Sequence, residues 1–395
     1  MAKPLTLTSD EERMIIDEAD HIVAETFAAH ERFVANGREM PKDEWKFVKS
    51  RENVSVYRST GSDSQSVVAS SNDQSSIEIT KPVDFPLVVT TGTLLGSVED
   101  AVFGALGYTE SLAHRRDALV KHEFDEVKIM ATIRTPTFDH PYRSLVVKWS
   151  TRGIGALSRA RDCVYIEATG FAIDSRGEQV SYYVCHSIDS IPRITDLKLL
   201  DAVRINISTC SIYRRYDETS VEQFSQGFAD IGGMFADGRG INTVFADFLL
   251  SSIHVVECAY VKKLIWLMNS KRRIGGDVNV ALASRSSASS SSSSSHSSAP
   301  SSANSNSTST SRGSKTCGNC DVKLSSLGSL IRSRLICMAC QEAICHKCSV
   351  EKKIPMEISR NSDMKIKQLM FCLRCVLEAK QALTCEVALA EMPAP

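Results

Sequence analysis

Eight of the thirteen cysteines fall between residues 317 and 375 as four CxxC pairs: Cys317-Gly-Asn-Cys320, Cys337-Met-Ala-Cys340, Cys345-His-Lys-Cys348 and Cys372-Leu-Arg-Cys375. Two thiolates separated by two residues reach one tetrahedral metal from a single tight turn, and thiolate is a soft ligand that suits zinc. Eight ligands close two four-coordinate sites and leave no position for a catalytic water. The cofactor expected is therefore two structural Zn²⁺ ions. Nothing at the N-terminus reads as a secretory signal, which sets aside four disulfides in a secreted module.

The gaps between the pairs decide how they share metal. Sixteen residues (321–336) separate the first two pairs, four (341–344) the second from the third, and twenty-three (349–371) the third from the fourth. Four residues make a hairpin too short for pairs two and three to face one ion. Pairing one with three and two with four is easier. RING, PHD and FYVE fingers share that cross-braced plan, and the step Cys340-Gln-Glu-Ala-Ile-Cys345 resembles the FYVE family. His346 lies inside a CxxC pair and reads as a bystander. The chain departs from the phosphoinositide-binding FYVE pattern at three places. Residues 311–316 replace a tryptophan-aspartate motif, residues 333–338 read Ser-Arg-Leu-Ile-Cys-Met in place of a basic run, and residues 370–372 read Met-Phe-Cys in place of R-V-C. Phosphate capture needs convergent donors, and of the basic run only Arg334 stays in place, with Arg332 nearby. The resemblance implies a degenerate, FYVE-related finger whose ligand is open. It also implies a membrane-contact loop, with Leu324, Leu327, Leu330 and Ile331 as apolar tips and Arg332 and Arg334 as basic shoulders.

Composition bounds the rest. At 395 residues and 43% hydrophobic content, the chain can bury one sizeable core and a small accessory module. Residues 317–380 hold eleven Lys/Arg against six Asp/Glu. Two Zn(Cys⁻)₄ centres, each carrying about −2, offset most of that excess, so no nucleic-acid footprint is expected. Cys163, Cys185, Cys210, Cys258 and Cys385 are scattered singly and read as small buried hydrophobes in a reducing compartment. The most apolar run, 248–268, is interrupted by His254, Glu257, Lys262 and Lys263, so no membrane span is expected. The N-terminus starts neither a signal peptide nor a myristoylation motif. The expected location is cytoplasmic, peripheral on endosomal-type membranes.

Ahead of the finger, Ser9-Asp10-Glu11-Glu12 reads as a capping box opening a helix, with Ile15, Ala19, Ile22, Thr26, Ala29 and Phe33 on one stripe and Gly37 as its stop. Strands are predicted at 45–48, 54–57 and 86–95, and Ser97 caps a helix to residue 119, broken near 107–109. Five alternating segments follow: Val127/Ile129/Ala131/Ile133, Leu145/Val147/Trp149, Val164/Ile166/Ala168, Val180/Tyr182/Val184/Ile188 and Val203/Ile205/Ile207. Period two repeated in this way predicts an antiparallel meander with one buried face, and 221–228 adds a further strand. A long helix is predicted over 241–270. The class is α+β. This order resembles the helix-grip fold of START lipid-transfer domains over residues 40–272. It is carried by phrases such as Val54-Ser55-Val56-Tyr57-Arg58 and His140-Pro141-Tyr142-Arg143-Ser144-Leu145. The resemblance implies an antiparallel sheet wrapped on the long C-terminal helix, around an apolar tunnel for one hydrophobic lipid. Phe245, Leu249, Ser252, Val256 and Tyr260 would face that tunnel; they equally suit a solid core.

Residues 284–311 hold eighteen serines in twenty-eight positions, too polar to offset the entropy of ordering, and are predicted to form a disordered tether. The organisation read is a START-like domain over 1–283, a serine-rich linker over 284–316, the finger over 317–380 and a tail over 381–395, with a short helix at 376–391. No G-x-S-x-G, H-E-x-x-H or P-loop is present, and Gly153-Ile-Gly155-Ala-Leu-Ser158 lacks its third glycine. His186 shares a face with Tyr182 and Val184 and reads as a hydrogen-bonded core histidine, while Arg134, Arg143, Glu167 and Asp189 are candidates to carry charge into a pocket. The function expected is that of a non-enzymatic lipid-binding protein, docked by its finger to a membrane or membrane-bound partner. An adaptor whose finger binds a protein such as a small GTPase is the second reading. A RING-like ubiquitin ligase or a cyclase-like activity in the cavity are the enzymatic alternatives.

Overall fold

The computed structural model describes residues 4–60, 85–120, 126–152, 160–188, 190–195, 202–230, 239–286, 316–324, 335–357 and 364–392. Most of the loop at 59–76, the glycine phrase at 153–158, Asp189 and nearly all of the serine-rich linker lie outside them. The chain divides into two compact units. One comprises Met1–Tyr260, Pro355–Lys365 and Thr384–Pro395; the other comprises Val261–Ile354 and Ile366–Leu383.

The first unit opens with α1 (Ser9–Ala35). Its cap lies one residue earlier than predicted: the Thr8 hydroxyl accepts from the Glu11 N–H at 3.3 Å, and the Glu11 carboxylate accepts from the Thr8 N–H at 2.8 Å. Arg193 also binds Glu11, which fixes that carboxylate as the capping partner in preference to Glu12. The buried stripe is Ile15, Ala19, Ile22, Val23, Thr26, His30 and Phe33.

Ten strands follow: β1 (Trp45–Arg51), β2 (Val54–Ser59), β3 (Val88–Leu95), β4 (Glu126–Arg134), β5 (Ser144–Arg152), β6 (Arg161–Ile173), β7 (Gln179–Ser187), β8 (Val203–Arg204), β9 (Asn206–Arg215) and β10 (Ser220–Asp230). They form one sheet in the order β1-β2-β3-β10-β9-β7-β6-β5-β4, with β8 beside β6. The predicted meander is therefore present from β4 to β10, but the N-terminal strands extend it, because β3 pairs β10 from Leu95↔Ser220 to Val88↔Gly227. Both faces of the sheet are buried, where the alternation predicted one. Leu145, Val147, Trp149, Val164 and Ile166 pack with the α1 stripe in one core. Their neighbours in register, including Lys148, Glu167, Tyr183, Ser211, Gln223 and Thr90, lie on the opposite face.

That second face is covered by α2 (Val98–Ala105), α3 (Glu110–Val120) and α5 (Arg239–Leu250), with the short α4 (Pro192–Thr195) between β7 and β8. The predicted long helix is two helices, α5 and α6 (Val255–Ser286), separated by a 3₁₀ turn at Ser251–His254. Ser251 Oγ donates to Phe248 O at 2.6 Å and Ser252 Oγ to Leu249 O at 2.5 Å. Hydroxyls bonded back onto preceding carbonyls compete with the helical ladder and tighten the turn. Further into the unit, α2 crosses α6 backbone to backbone: a Cβ on Gly104 would lie 1.8 Å from Val255 O. Gly104→Ala is expected to cost about 1–3 kcal/mol or more through overpacking, read as a lower urea midpoint with an unchanged m-value. No helix among the described residues is long and apolar enough to cross a membrane.

At the C-terminus the single helix predicted at 376–391 is likewise two, α7 (Leu373–Gln381) and α8 (Thr384–Glu391). Helix α8 belongs to the first unit, where Thr384 Oγ1 donates to Asp100 Oδ1 at 2.9 Å. The second unit carries the cysteine pairs with β11 (Leu335–Ile336) against β12 (Ala343–Ile344), most of the ribbon of β13 (Ser349–Glu357) with β14 (Met364–Cys372), and α7.

Candidate functional sites: two cysteine tetrads and a polar sheet interior

The cysteines assemble as the spacing predicts. Cys317, Cys320, Cys345 and Cys348 form one group and Cys337, Cys340, Cys372 and Cys375 the other, with the sulfurs of each group within 4.8 Å of one another. Cys320 Sγ lies 3.7 Å from Cys345 Sγ, and Cys340 Sγ 3.9 Å from Cys372 Sγ. No cysteine forms a disulfide. A tetrahedron with metal–sulfur bonds of about 2.3 Å has edges of about 3.8 Å, so the sulfurs already stand at metal-binding separations. His346 takes part in neither group.

Local backbone explains why each pair converges. In the first two pairs the N–H groups of Asp321 and Gln341 each donate at 2.9 Å to the carbonyl of the leading cysteine, Cys317 or Cys337. Cys317 and Cys337 in turn donate at 2.9 Å to Val322 O and Glu342 O. Closing that loop puts Asp321 and Gln341 at φ 58° and 61°, a left-handed conformation that non-glycine residues adopt at some cost. The third pair sits on a 3₁₀ turn at His346–Cys348. The fourth caps α7, the Cys372 sulfur accepting the Cys375 N–H at 3.4 Å, so the helix N-terminus faces the sulfurs. Burial works against the Cys317 thiolate, but N–H donors from Cys345, Asn319 and Cys320 outweigh it and pull the thiol down to about 6.

A charged group also reaches the second tetrad from α6. Lys271 Nζ lies 3.6 Å from Cys375 Sγ and 2.6 Å from Glu378 Oε2. Partial burial disfavours its charge, yet the bonds to Glu378 and Cys375 hold its pKa above the ordinary lysine value. Nothing in the CxxC spacing pointed to this residue.

The second site lies on the inner face of the large sheet. Lys148 is fully buried and donates to Glu167 Oε1 at 2.6 Å and to Gly107 O at 2.7 Å. Arg116, on α3, reaches Glu167 Oε2 at 2.9 Å, donates to Ala105 O at 2.8 Å, and donates through Nε to Asp117 Oδ1 at 3.0 Å. Tyr183 donates to Glu167 Oε2 at 3.1 Å. Burial alone would raise the Glu167 pKa; Arg116 and Lys148 reverse that and hold it below the ordinary carboxylate value. Burial wins at Asp117, whose pKa is raised. Asp117 Oδ2, Thr90 Oγ1, Ser150 Oγ and Gln223 Oε1 are buried with no hydrogen-bond partner among the described residues.

Of the residues the sequence nominated for a lipid pocket, Phe245, Leu249 and Val256 are buried in the core that α5 and α6 share with this inner face, and Tyr260 packs at its edge. Ser252 accepts from Gln223 Nε2, which ties the 3₁₀ turn to β10. Among the described residues, Glu167 is the one nominated charge that is buried: Arg134 faces Asp20 at 3.9 Å, and Arg143 is exposed. His186 is the bonded core histidine expected, held between Ser208 Oγ and Glu18 Oε1, each at 2.8 Å. The serine meets Nδ1 and the carboxylate Nε2, the reverse of a hydrolytic triad, and Ser208 and His186 are fully buried beneath α1. Four of the five scattered cysteines are buried as expected; Cys385 is exposed on α8, where a short helix turns it outward. On the finger, Leu324 is half-buried, and Leu327, Leu330, Ile331, Arg332 and Arg334 lie outside the described residues.

A concavity of about 950 Å³ lies elsewhere, between α1, the 139–143 turn and the β6–β7 hairpin. Val23, Phe27, Phe171 and Tyr182 are among its lining residues, as are Asp20 and Arg143; none of the five nominated pocket residues is.

No family model matches this sequence, and no curated protein sequence is significantly similar to it. Solved structures of related shape include human StAR-related lipid transfer protein 5, at 12% identity over 60% of this chain and 95% of that one, with a TM-score of 0.37. The lipid transfer and protein localization domain of human StarD13 (DLC2) matches at 12% identity over 58% and 93%, with a TM-score of 0.36. A STAR-related lipid transfer protein from Xanthomonas axonopodis matches at 15% identity over 54% and 99%, with a TM-score of 0.33. Likenesses at these TM-scores leave the family unassigned.

Proposed function

We infer that the chain is a non-enzymatic lipid-binding protein of the START-like kind. Its first unit would take one amphipathic lipid against the inner face of the sheet, and two Zn²⁺ ions would hold a FYVE-related finger. The observation that carries the first half is the set of unpartnered buried atoms on and beside that face: Asp117 Oδ2, Thr90 Oγ1, Ser150 Oγ and Gln223 Oε1. A solid core rarely leaves such atoms unpaired, because each costs about 1–3 kcal/mol. A bound molecule with a polar end would satisfy them, while the apolar part of the same face would take its hydrocarbon. Four soft sulfurs at tetrahedral separation, with no water position, carry the zinc assignment.

The lipid half is tested by organic extraction and mass spectrometry of the full chain purified from cells, and again after incubation with mixed-lipid vesicles. One lipid class enriched toward one equivalent is the expected result; no enrichment in either preparation overturns the reading. For the finger we propose docking to a cytoplasmic, endosomal-type membrane, supported by exposed Val322 and Lys323 at the start of the loop the sequence singled out. Liposome flotation with and without phosphoinositide tests it, and absence of binding in both removes the membrane role. The adaptor alternative has its own observation: Leu373 and Leu377, one turn apart on α7, are both exposed, an apolar pair suited to a protein partner.

A further inference from the structure

Cysteine spacing treats the two metal sites as equivalents; their surroundings do not. At the first tetrad, Cys317 Sγ accepts the Cys345 N–H at 3.3 Å, and Cys320 is exposed. At the second, all four cysteines are at least partly buried, and the Cys372 N–H donates to Cys337 Sγ at 3.3 Å. Two cations stand beside that group. Arg374 binds Glu342 at 2.6 Å, and Glu342 Oε2 lies 3.7 Å from Cys340 Sγ. Lys271 comes from α6, 104 residues before Cys375, and its ammonium bridges Cys375 Sγ and Glu378 Oε2. Cys375 and Glu378 are three residues apart on α7, so they present sulfur and carboxylate on one side of the helix to a group with three N–H donors.

A metal held by four thiolates carries a net charge of about −2, and N–H···S bonds from outside the ligand set spread that charge and fix the sulfur's orientation. We propose that Lys271 donates a hydrogen bond to the Cys375 thiolate of the metal site formed by Cys337, Cys340, Cys372 and Cys375, and that this site, built jointly by α6 and the finger, keeps its metal after the first site has lost it. Lys271 is a positioning residue: it acts through Cys375. The proposal rests on the zinc reading of the tetrads, and the experiment separates the two. It differs from a plain surface ion pair to Glu378, which would leave metal affinity alone.

The test uses the full chain loaded with zinc and titrated with a graded chelator. Alkylation of the released thiols, resolved by peptide mass spectrometry, reports each tetrad separately. In the wild type, Cys317 and Cys320 are expected to become alkylated at lower chelator concentration than Cys372 and Cys375. Lys271→Ala is expected to weaken the second site by about 10–100-fold, the usual loss for an outer-shell partner, and to leave the first unchanged. Lys271→Arg, which keeps a cationic donor, should recover most of that loss, and Glu378→Gln, which removes the ion pair but keeps the ammonium, should stay close to wild type. Unchanged release from the second tetrad in Lys271→Ala, or an equal loss in Glu378→Gln, overturns the proposal while leaving the zinc reading standing. A wild-type chain that takes up no zinc overturns both.

Discussion

Chelating the metal from the full chain is expected to unfold the finger and leave the ten-stranded sheet folded. Residues 335–357 and 364–381 should lose amide protection together, because β11, β12 and the ribbon are short elements whose ends meet at the sulfurs. A module this small lacks a core of its own, and a structural zinc site contributes about 10–16 kcal/mol of apparent binding free energy that becomes folding free energy. Cys337→Ser should therefore remove about one metal equivalent and expose both parts of the second tetrad to protease, although residues 337 and 372 are far apart in sequence. Hydrogen exchange before and after chelation is the measurement, with elemental analysis for stoichiometry. Fewer than two equivalents in the wild type, or protection that ignores the chelator, would falsify the two-metal architecture.

The other large effect is expected at Glu167. Glu167→Gln leaves the Lys148 ammonium and Arg116 guanidinium buried without their shared carboxylate, a change that costs about 3–5 kcal/mol. Replacing the pair together, with Glu167→Leu and Lys148→Met, should be milder, since it removes one of the two cations that Glu167→Gln strands and leaves Arg116 its bond to Asp117. The sign of the pH dependence follows from the depressed Glu167 value. A carboxylate with a lowered folded pKa stabilises the fold above its unfolded value of about 4.3, and that contribution is lost as pH falls through the folded value. The gap between wild type and Glu167→Gln should then be widest near neutrality and shrink in acid. Urea unfolding at neutral and acid pH measures it; a gap that is small or independent of pH would show that the cluster does not hold Glu167 ionised.

The two cysteine groups were legible because coordination geometry is local: two residues between thiols set the reach of a turn, and four residues between pairs exclude one partner choice. Helix starts were legible to within a residue for a similar reason, as at Thr8, where side chain and N–H lie three positions apart. The break in the long helix was not. Its cause is two serine hydroxyls choosing carbonyls at Phe248 and Leu249, a choice that the apolar stripe around them conceals. Nor did alternation reveal the polar interior. Lys148, Glu167 and Tyr183 occupy the positions that a period-two pattern assigns to solvent; the two charged residues are buried and Tyr183 is half-buried, because helices cover that face as well.

The sequence by itself determined which eight sulfurs gather in which two groups, where most strands and helices begin, and that the class is α+β. Tertiary structure alone decided that β3 closes onto β10, that α8 returns to the first unit, that a lysine on α6 reaches a sulfur of the second tetrad, and that four charges meet inside the sheet. The division has one physical source. Turn geometry, capping and side-chain period act over a few residues and are written in their order, whereas pairing across more than a hundred residues is chosen by burial, which depends on every other element already being in place.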